Sequence, residues 1–468
     1  MKRVAALAAA ALVMFAAACT ETLPAAKHPA IPPAEEPWIA VDTAPHGAEP
    51  AAVQGDLPTP QAAAMVLPSS LGIDETIREG LQANRDLRAA YFAIDEARGR
   101  LLQAGLWPNP QLRFSGAHDF AFANDGAYST STGFEQRFPV TGRIARARDV
   151  ARVDVAIAVA EVRDVTRRFI GDVQTAFYDL LSLQEQIAVR DRLLGIDRTL
   201  VEVSQARAKR AEVSALDVNS ARIELERLEL ERTLLVTQSR ARTAELNKLL
   251  GRAPEAPLTV HGEIRLPPMP SRESLREQAL RLRPDRQQAA LEQDRAHADL
   301  QLAKAERWED WAIGFSYDRD RAVINGAPSQ PSDQFLGLGL TIPIPLWNQN
   351  QGRIAETRAS EAQAKDRLAA LELTIFAEIE SAHVRGDDLA RIVENYRGSV
   401  IPLSDRNVSL AQEAYRSGLA TVTQVVQVQR QQSELQTSYL DALSQYRRAW
   451  IDLEVAAATN QFLDEVKP

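Results

Sequence analysis

One local pattern is written twice in this chain, and it constrains the fold more than any bulk property. A strand-like stretch, Gly133-Phe-Glu-Gln-Arg-Phe138, breaks at Pro139 and passes through Thr141-Gly142-Arg143-Ile144-Ala145 into a long run without proline. The second copy is Leu336-Gly-Leu-Gly-Leu-Thr-Ile342, which breaks at Pro343 and Pro345 and passes through Gln351-Gly352-Arg353-Ile354-Ala355. An uninterrupted helical rod is expected after each, to about Glu212 and about Ser417. The two Gly-Arg-Ile-Ala tetrads lie 210 residues apart. The chain therefore reads as a tandem duplication of one strand-to-long-helix unit, and such repeats fix an architecture before anything else does.

Each rod carries an apolar stripe with steps near 3.6. In the first copy it runs through Val162, Val165, Phe169, Val173, Phe177, Leu180 and Ile187. In the second it runs through Leu368, Leu371, Ile375, Ile379, Ala382, Leu389, Ile392 and Tyr396. At 1.5 Å per residue such a rod is about 100 Å long. Charges on the other faces exclude a transmembrane helix, so the stripes must be buried against neighbours as in a coiled coil. Each rod reverses in a short tip, Ala208–Ser214 and Tyr415–Thr421, and a helix returns. Ser214 and Thr421 suit the N-caps of the returning helices. Gly418 suits the left-handed residue of the reversal.

Ahead of each rod lies a helix and a hairpin. One helix is expected from about Glu75 to Gly105, capped by Asp74, and its counterpart from Ser271 to about Trp308. The hairpins pair Gln111–Phe120 with Tyr128–Phe138 across Asn124-Asp-Gly126, and Trp311–Asp320 with Gln334–Ile342 across Asn325-Gly-Ala-Pro328. Leu336, Leu338, Leu340 and Ile342 alternate with Phe335, Gly337, Gly339 and Thr341. That alternation suits a transmembrane β-barrel wall, or a half-buried hairpin on a soluble domain. Four strands are half of the eight that the smallest single-chain barrel needs. If these strands enter a membrane, several chains share one barrel, and strand counting leaves dimer, trimer and tetramer open.

Lys2 and Arg3 precede an apolar run, Val4 to Phe15, and then Ala16-Ala17-Ala18-Cys19. This is the layout of a secretory signal over residues 1–18, with Cys19 placed as the acylated first residue of a lipoprotein. Ten of the 25 prolines fall between residues 20 and 70. Residues 19–70 are accordingly a tether, because proline removes backbone donors and excludes helices and central strands. The rest divides into two structural repeats, 71–262 and 263–468. A single cysteine excludes an intrachain disulfide. The formal net charge of −9 with both signs interspersed argues against nucleic acid. His118, His261, His297 and His383 lack metal-site spacing. No catalytic constellation or cofactor motif is present, and Arg143, Arg146, Arg148 and Arg152 read as a solvated helix start.

Together the duplication, Leu106-Trp-Pro-Asn-Pro-Gln-Leu112, Phe138-Pro-Val-Thr-Gly-Arg-Ile144 and Tyr415-Arg-Ser-Gly-Leu419 resemble the TolC family of outer-membrane efflux channels, most closely its heavy-metal efflux lipoprotein subgroup. The resemblance covers about residues 71–460. It implies a mainly α fold with a small β part. Long antiparallel coiled-coil helices form a periplasmic α-barrel, and four strands per chain contribute to a 12-stranded transmembrane β-barrel in a homotrimer. It implies a passive conduit in the outer membrane, served by a periplasmic adaptor protein and an inner-membrane RND-type transporter, with metal cations or small toxic solutes as cargo. The adaptor would dock on the tips, at Ala211, Glu212, Val213 and Ser214 and at Gly418, Leu419, Ala420 and Thr421. Asp217 and Tyr415 match the family's gate positions, and a hydrogen bond from the Tyr415 hydroxyl to the Asp217 carboxylate is expected. Ala420 replaces the family's arginine, and Gln424 and Gln427 stand where some members carry aspartates. Polypeptide export through the same fold, or a periplasmic scaffold without a barrel, are the alternatives.

Overall fold

A computed structural model of the chain describes residues 70–118, 127–264, 267–323 and 331–463. The signal, Cys19, the tether as far as residue 69 and both hairpin turns lie outside the described residues.

The first half runs β1 (Ser70–Leu71), α1 (Ile73–Ala83), α2 (Arg85–Ala104), β2 (Gln111–His118), β3 (Tyr128–Phe138), α3 (Arg143–Lys209) and α4 (Ala215–Leu249). The second half runs β4 (Thr259–Val260), α5 (Arg272–Leu282), α6 (Pro284–Ala305), β5 (Trp311–Arg321), β6 (Asp333–Thr341), α7 (Gln351–Asn395), a π turn (Tyr396–Val400), α8 (Ile401–Arg416) and α9 (Val422–Ala457). The order of elements repeats, as the duplicated tetrads require.

Three local departures from the sequence reading have clear causes. The short helices are pairs, not single helices. Asn84 breaks the first because its side chain accepts from Leu87 N–H at 2.8 Å, capping a new helix. Arg283 breaks the second because it precedes Pro284, which drives it to ψ 120°. The first helix starts at Gly72, whose N–H donates to the Glu75 carboxylate at 3.0 Å, so Asp74 lies inside the first turn. The second rod is interrupted at Pro402. Proline has no N–H for the Gly398 carbonyl, and the chain widens into a π turn in which Ile401 N–H reaches back to Tyr396 O.

The first rod, α3, is unbroken over 67 residues. Its core is a series of clusters along its length, as expected of helices that bury a stripe and not a sphere. Midway, Phe177, Leu180, Leu246, Leu250, Val260 and Ile451 pack together, and β1 pairs with β4 beside them. Near the tips, Leu200, Val201, Ala221, Tyr415, Val422 and Val425 form another cluster. Among the described residues, no helix is long and apolar enough to cross a membrane.

The four long strands form one antiparallel sheet in the order β2-β3-β5-β6, so the two repeats join where β3 pairs with β5. Both hairpins have the expected pairing, with Gln111 opposite Glu135 and Ile313 opposite Leu340. Among the described residues of the chain, the outer edges of β2 and β6 are unpaired.

Candidate functional site: the sheet and the helical tips

Pairing registers define what each face of the sheet presents. One row runs straight across it as Leu112, Phe134, Phe315 and Leu338, and the next as Phe114, Thr132, Tyr317 and Leu336. The four residues of the first row are exposed by 43 to 72%. The alternate rows point the other way and are small or polar except for Phe335: Arg113, Gly133, Ser316 and Gly337, then Ser115, Ser131, Asp318 and Phe335. On this second face Arg113 pairs with Glu135 at 3.1 Å and Ser129 donates to Asp320 at 2.6 Å. An apolar face left open, backed by a charged one, is the pattern of a barrel wall between lipid and a wet lumen.

At the opposite end of the rods, the two tips are built alike. After α3, Ala211 takes φ 59°, and Glu212 N–H reaches back to Arg207 O at 3.0 Å. After α8, Gly418 takes φ 75°, and Leu419 N–H reaches back to Ala414 O at 2.8 Å. Both are left-handed helix stops that satisfy the last carbonyls. Ser214 then caps α4, accepting from Asp217 N–H at 3.2 Å while its own N–H donates to the Asp217 carboxylate at 3.1 Å. Thr421 caps α9 in the same reciprocal way with Gln424. Ala211, Glu212, Ser214, Gly418, Leu419 and Thr421 are exposed, and Val213 and Ala420 are half-buried. Leu419 is 84% exposed.

Tyr415 is buried, and its hydroxyl lies 3.0 Å from Ser204 Oγ. Ser204 donates its own proton to Leu200 O at 2.7 Å, so Tyr415 is the donor. The expected bond from Tyr415 to Asp217 is therefore not made within the chain. Asp217 spends its carboxylate on the cap of α4, also accepting from the Ser214 hydroxyl at 2.8 Å.

Arg207 is the tip residue that sequence reasoning missed. Its guanidinium stacks over the Tyr415 ring at 4.9 Å, donates to Tyr415 O at 2.8 Å and donates to Glu212 at 3.1 Å. The bond to Glu212 raises its pKa above the ordinary value, with lesser help from Tyr415. It ties the first tip to the second, in a region where Ala420 has no charge to offer. A basic residue in the last turn of a helix is a weak signal, and nothing in the sequence places it against a residue 208 positions away.

Two helical faces in the tip half remain open. On α4 they are Leu216, Ile223, Leu230 and Leu234, exposed by 59 to 74%. On α7 and α8 they are Val384, Ile392, Leu403 and Leu410. Steps of seven, seven and four on α4 describe a coiled-coil seam without its partner helix.

Comparison with known proteins fits this geometry. The chain is 22% identical over 375 residues to the cobalt-zinc-cadmium resistance protein CzcC of Cupriavidus metallidurans, spanning 78% of this chain and 85% of that one. In fold it is similar to the Campylobacter jejuni CmeC outer membrane channel (TM-score 0.67, 14% identity, 82% of this chain and 85% of that one). It is equally similar to the outer membrane protein VceC of Vibrio cholerae (TM-score 0.66, 16% identity, 82% and 95%). The model of the outer membrane efflux protein family matches residues 76–252 and 275–459, one segment in each half, and the chain belongs to that family.

Proposed function

We propose that three copies of this chain close into one conduit, with 12 strands crossing the outer membrane and the rods forming a tunnel across the periplasm. The single observation that carries this reading is the sheet. It has four strands, two unpaired edges and an apolar row across one face. Alone in lipid, each free edge would leave backbone groups unsatisfied at several kcal/mol each. Joining β6 of one chain to β2 of the next removes every edge. The open seams on α4 and on α7–α8 support the same closure, since a ring brings one against the other.

The conduit is passive and receives cargo from an inner-membrane RND-type transporter through a periplasmic adaptor that docks on the tips, with Leu419 as an apolar contact. Asp217 and Tyr415 belong to the resting gate, with Arg207 and Ser204 beside them. Cys19 is acylated, and residues 19–70 tether the lipid to the body made of the repeats 71–262 and 263–468. The likeness to CzcC supports divalent metal cations as the cargo class.

Purified protein added to planar lipid bilayers tests the conduit. Stepwise conductance is expected. Protein that stays monodisperse without detergent and gives no conductance would instead be a periplasmic scaffold. Growth of cells with and without this chain in cobalt, zinc and cadmium tests the cargo. Equal growth would remove metals from the reading and leave the channel standing.

A further inference from the structure

A buried polar layer in the tip half of the coiled coil has no part in the reading above. Two apolar clusters bracket it: Val189, Leu193, Leu194 and Leu228 on one side, and Leu200, Val201, Ala221, Tyr415 and Val425 on the other. Between them on α3 sits Asp197, 2% exposed, and its Oδ2 has no hydrogen-bond partner. Helices α3 and α9 run antiparallel here. Arg190 donates to Ser433 and Thr437, and Val201 clusters with Val425, so the register sets Gln429 across from Asp197. Gln429 is 4% exposed, and neither atom of its amide has a partner.

The charges around Asp197 are already committed. On α4, Arg227 donates to Glu224 and to Glu231. On α9, Arg430 donates to Glu224 at 2.7 Å, and Glu434 lies near Arg227. On its own helix, Arg190 pairs with Glu231 at 3.3 Å. On α8, Asp405 accepts from Gln432 at 2.6 Å. Arg190, Arg227 and Arg430 each answer Glu224 or Glu231, and none of them donates a hydrogen bond to Asp197. A buried ionised carboxylate costs more than a neutral carboxylic acid, which has an O–H to give. The unpartnered Gln429 Oε1 is an acceptor on the facing helix.

We propose that Asp197 is a proton-binding site inside the resting tip: in acid it takes a proton from the periplasm and donates it to Gln429, which tightens the α3–α9 contact. Burial and the neighbouring Glu224 carboxylate push the Asp197 carboxyl up to about 6, with Arg227 opposing them. Because the folded-state value lies above the ordinary 3.8, the stabilisation is complete below about pH 4 and is lost as pH rises through about 6. The resting tip is thus held more tightly in acid surroundings than in neutral ones.

The test uses the full-length protein in detergent and then in bilayers. Infrared difference spectra between pH 5 and pH 7.5, with carboxyl-labelled aspartate, are expected to show a protonated carboxyl band with a midpoint near pH 6. The band should be absent in Asp197→Asn and retained in Asp172→Asn. Asp197→Asn, neutral at every pH, should melt higher than wild type at pH 7.5 and lose part of the wild-type response to acid. Should that variant not fold, the labelled wild-type spectrum still decides, because a band with no midpoint between pH 5 and 7 overturns the proposal. So does Asp197→Asn protein that keeps the band and the full pH response of melting. Resting conductance should fall several-fold from pH 7.5 to pH 5 in wild type and stay low in Asp197→Asn. Only this arm rests on the channel reading, so a failure of that reading leaves the spectra and the melting intact.

Discussion

Asn84 and Arg283 do the same work in the two halves of the chain with different chemistry. Each sits at the break between two short helices. Asn84 Nδ2 donates to Leu249 O at 3.0 Å, at the end of α4, and Arg283 Nη1 donates to Ala456 O at 3.1 Å, near the end of α9. Each thereby closes a returning helix against the repeat's own entry helices. Burial works against the Arg283 charge, yet its bonds to Asp285 and Glu378 outweigh this and raise its pKa above the ordinary value. Arg167 adds a second contact to Asp285 at 3.8 Å. Asn84→Ala should cost about 2–3 kcal/mol, the sum of a lost cap and an orphaned carbonyl. Arg283→Ala should cost about 3–5 kcal/mol, because it leaves a partly buried acid without its main partner. Thermal melting of the purified protein checks the order. A smaller loss for Arg283→Ala than for Asn84→Ala would contradict it.

Ala211 and Gly418 occupy equivalent positions in the two tips, both with positive φ. Gly418→Val should destabilise the second tip by at least about 1–2 kcal/mol, since a β-branched residue resists that conformation. Ala211→Gly should be neutral within about 0.5 kcal/mol, as relief of strain offsets the greater freedom of glycine in the unfolded chain. Amide exchange in the two tips reads both effects. For adaptor docking, Gly418→Val and Leu419→Asp should weaken crosslinking to the adaptor, whereas variants that crosslink and export normally remove docking from this tip.

At the tips, where we propose the gate, the observed contacts set the expected order of effects. Arg207→Ala removes two contacts between the tips and one within the first, and should raise resting single-channel conductance most. Tyr415→Phe loses only the bond to Ser204 and should raise it less. Asp217→Ala removes a helix cap, and its first effect should be fraying of α4. An Asp217→Ala channel that leaks more than Arg207→Ala, with assembly intact, would return the gate to the Asp217 reading.

The open seam on α4 carries its own expectation. Leu230→Glu with Leu234→Glu replaces two exposed apolar side chains and should leave the monomer fold unchanged in helix content. In an assembled ring the same change buries carboxylates without partners, so assemblies should fall apart. Oligomers of unchanged size would mean that the seam faces solvent.

Much of this fold was legible because its signals are local. The repeated Gly-Arg-Ile-Ala, the alternation in Leu336–Leu340 and the caps at Ser214 and Thr421 each depend on a few adjacent residues. The break at Asn84 was not legible, because the helical pattern runs through it and only the cap to Leu87 reveals it. Pro402 was a local signal, but the surrounding stripe of apolar residues outweighed it, and the π turn absorbs it without ending the rod. The partners of Tyr415 were illegible for a different reason. Ser204 lies 211 positions away, and the rotation of two long rods decides which residues meet.

The central claim is that this efflux-family chain is one third of a closed barrel, and the mass of the native assembly tests it most directly. Native mass spectrometry of the protein extracted from the outer membrane in mild detergent should give a single species of three chains, stable until the barrel is denatured. Two chains would supply eight strands and four would supply 16, and either mass, or that of a single chain, would contradict the account.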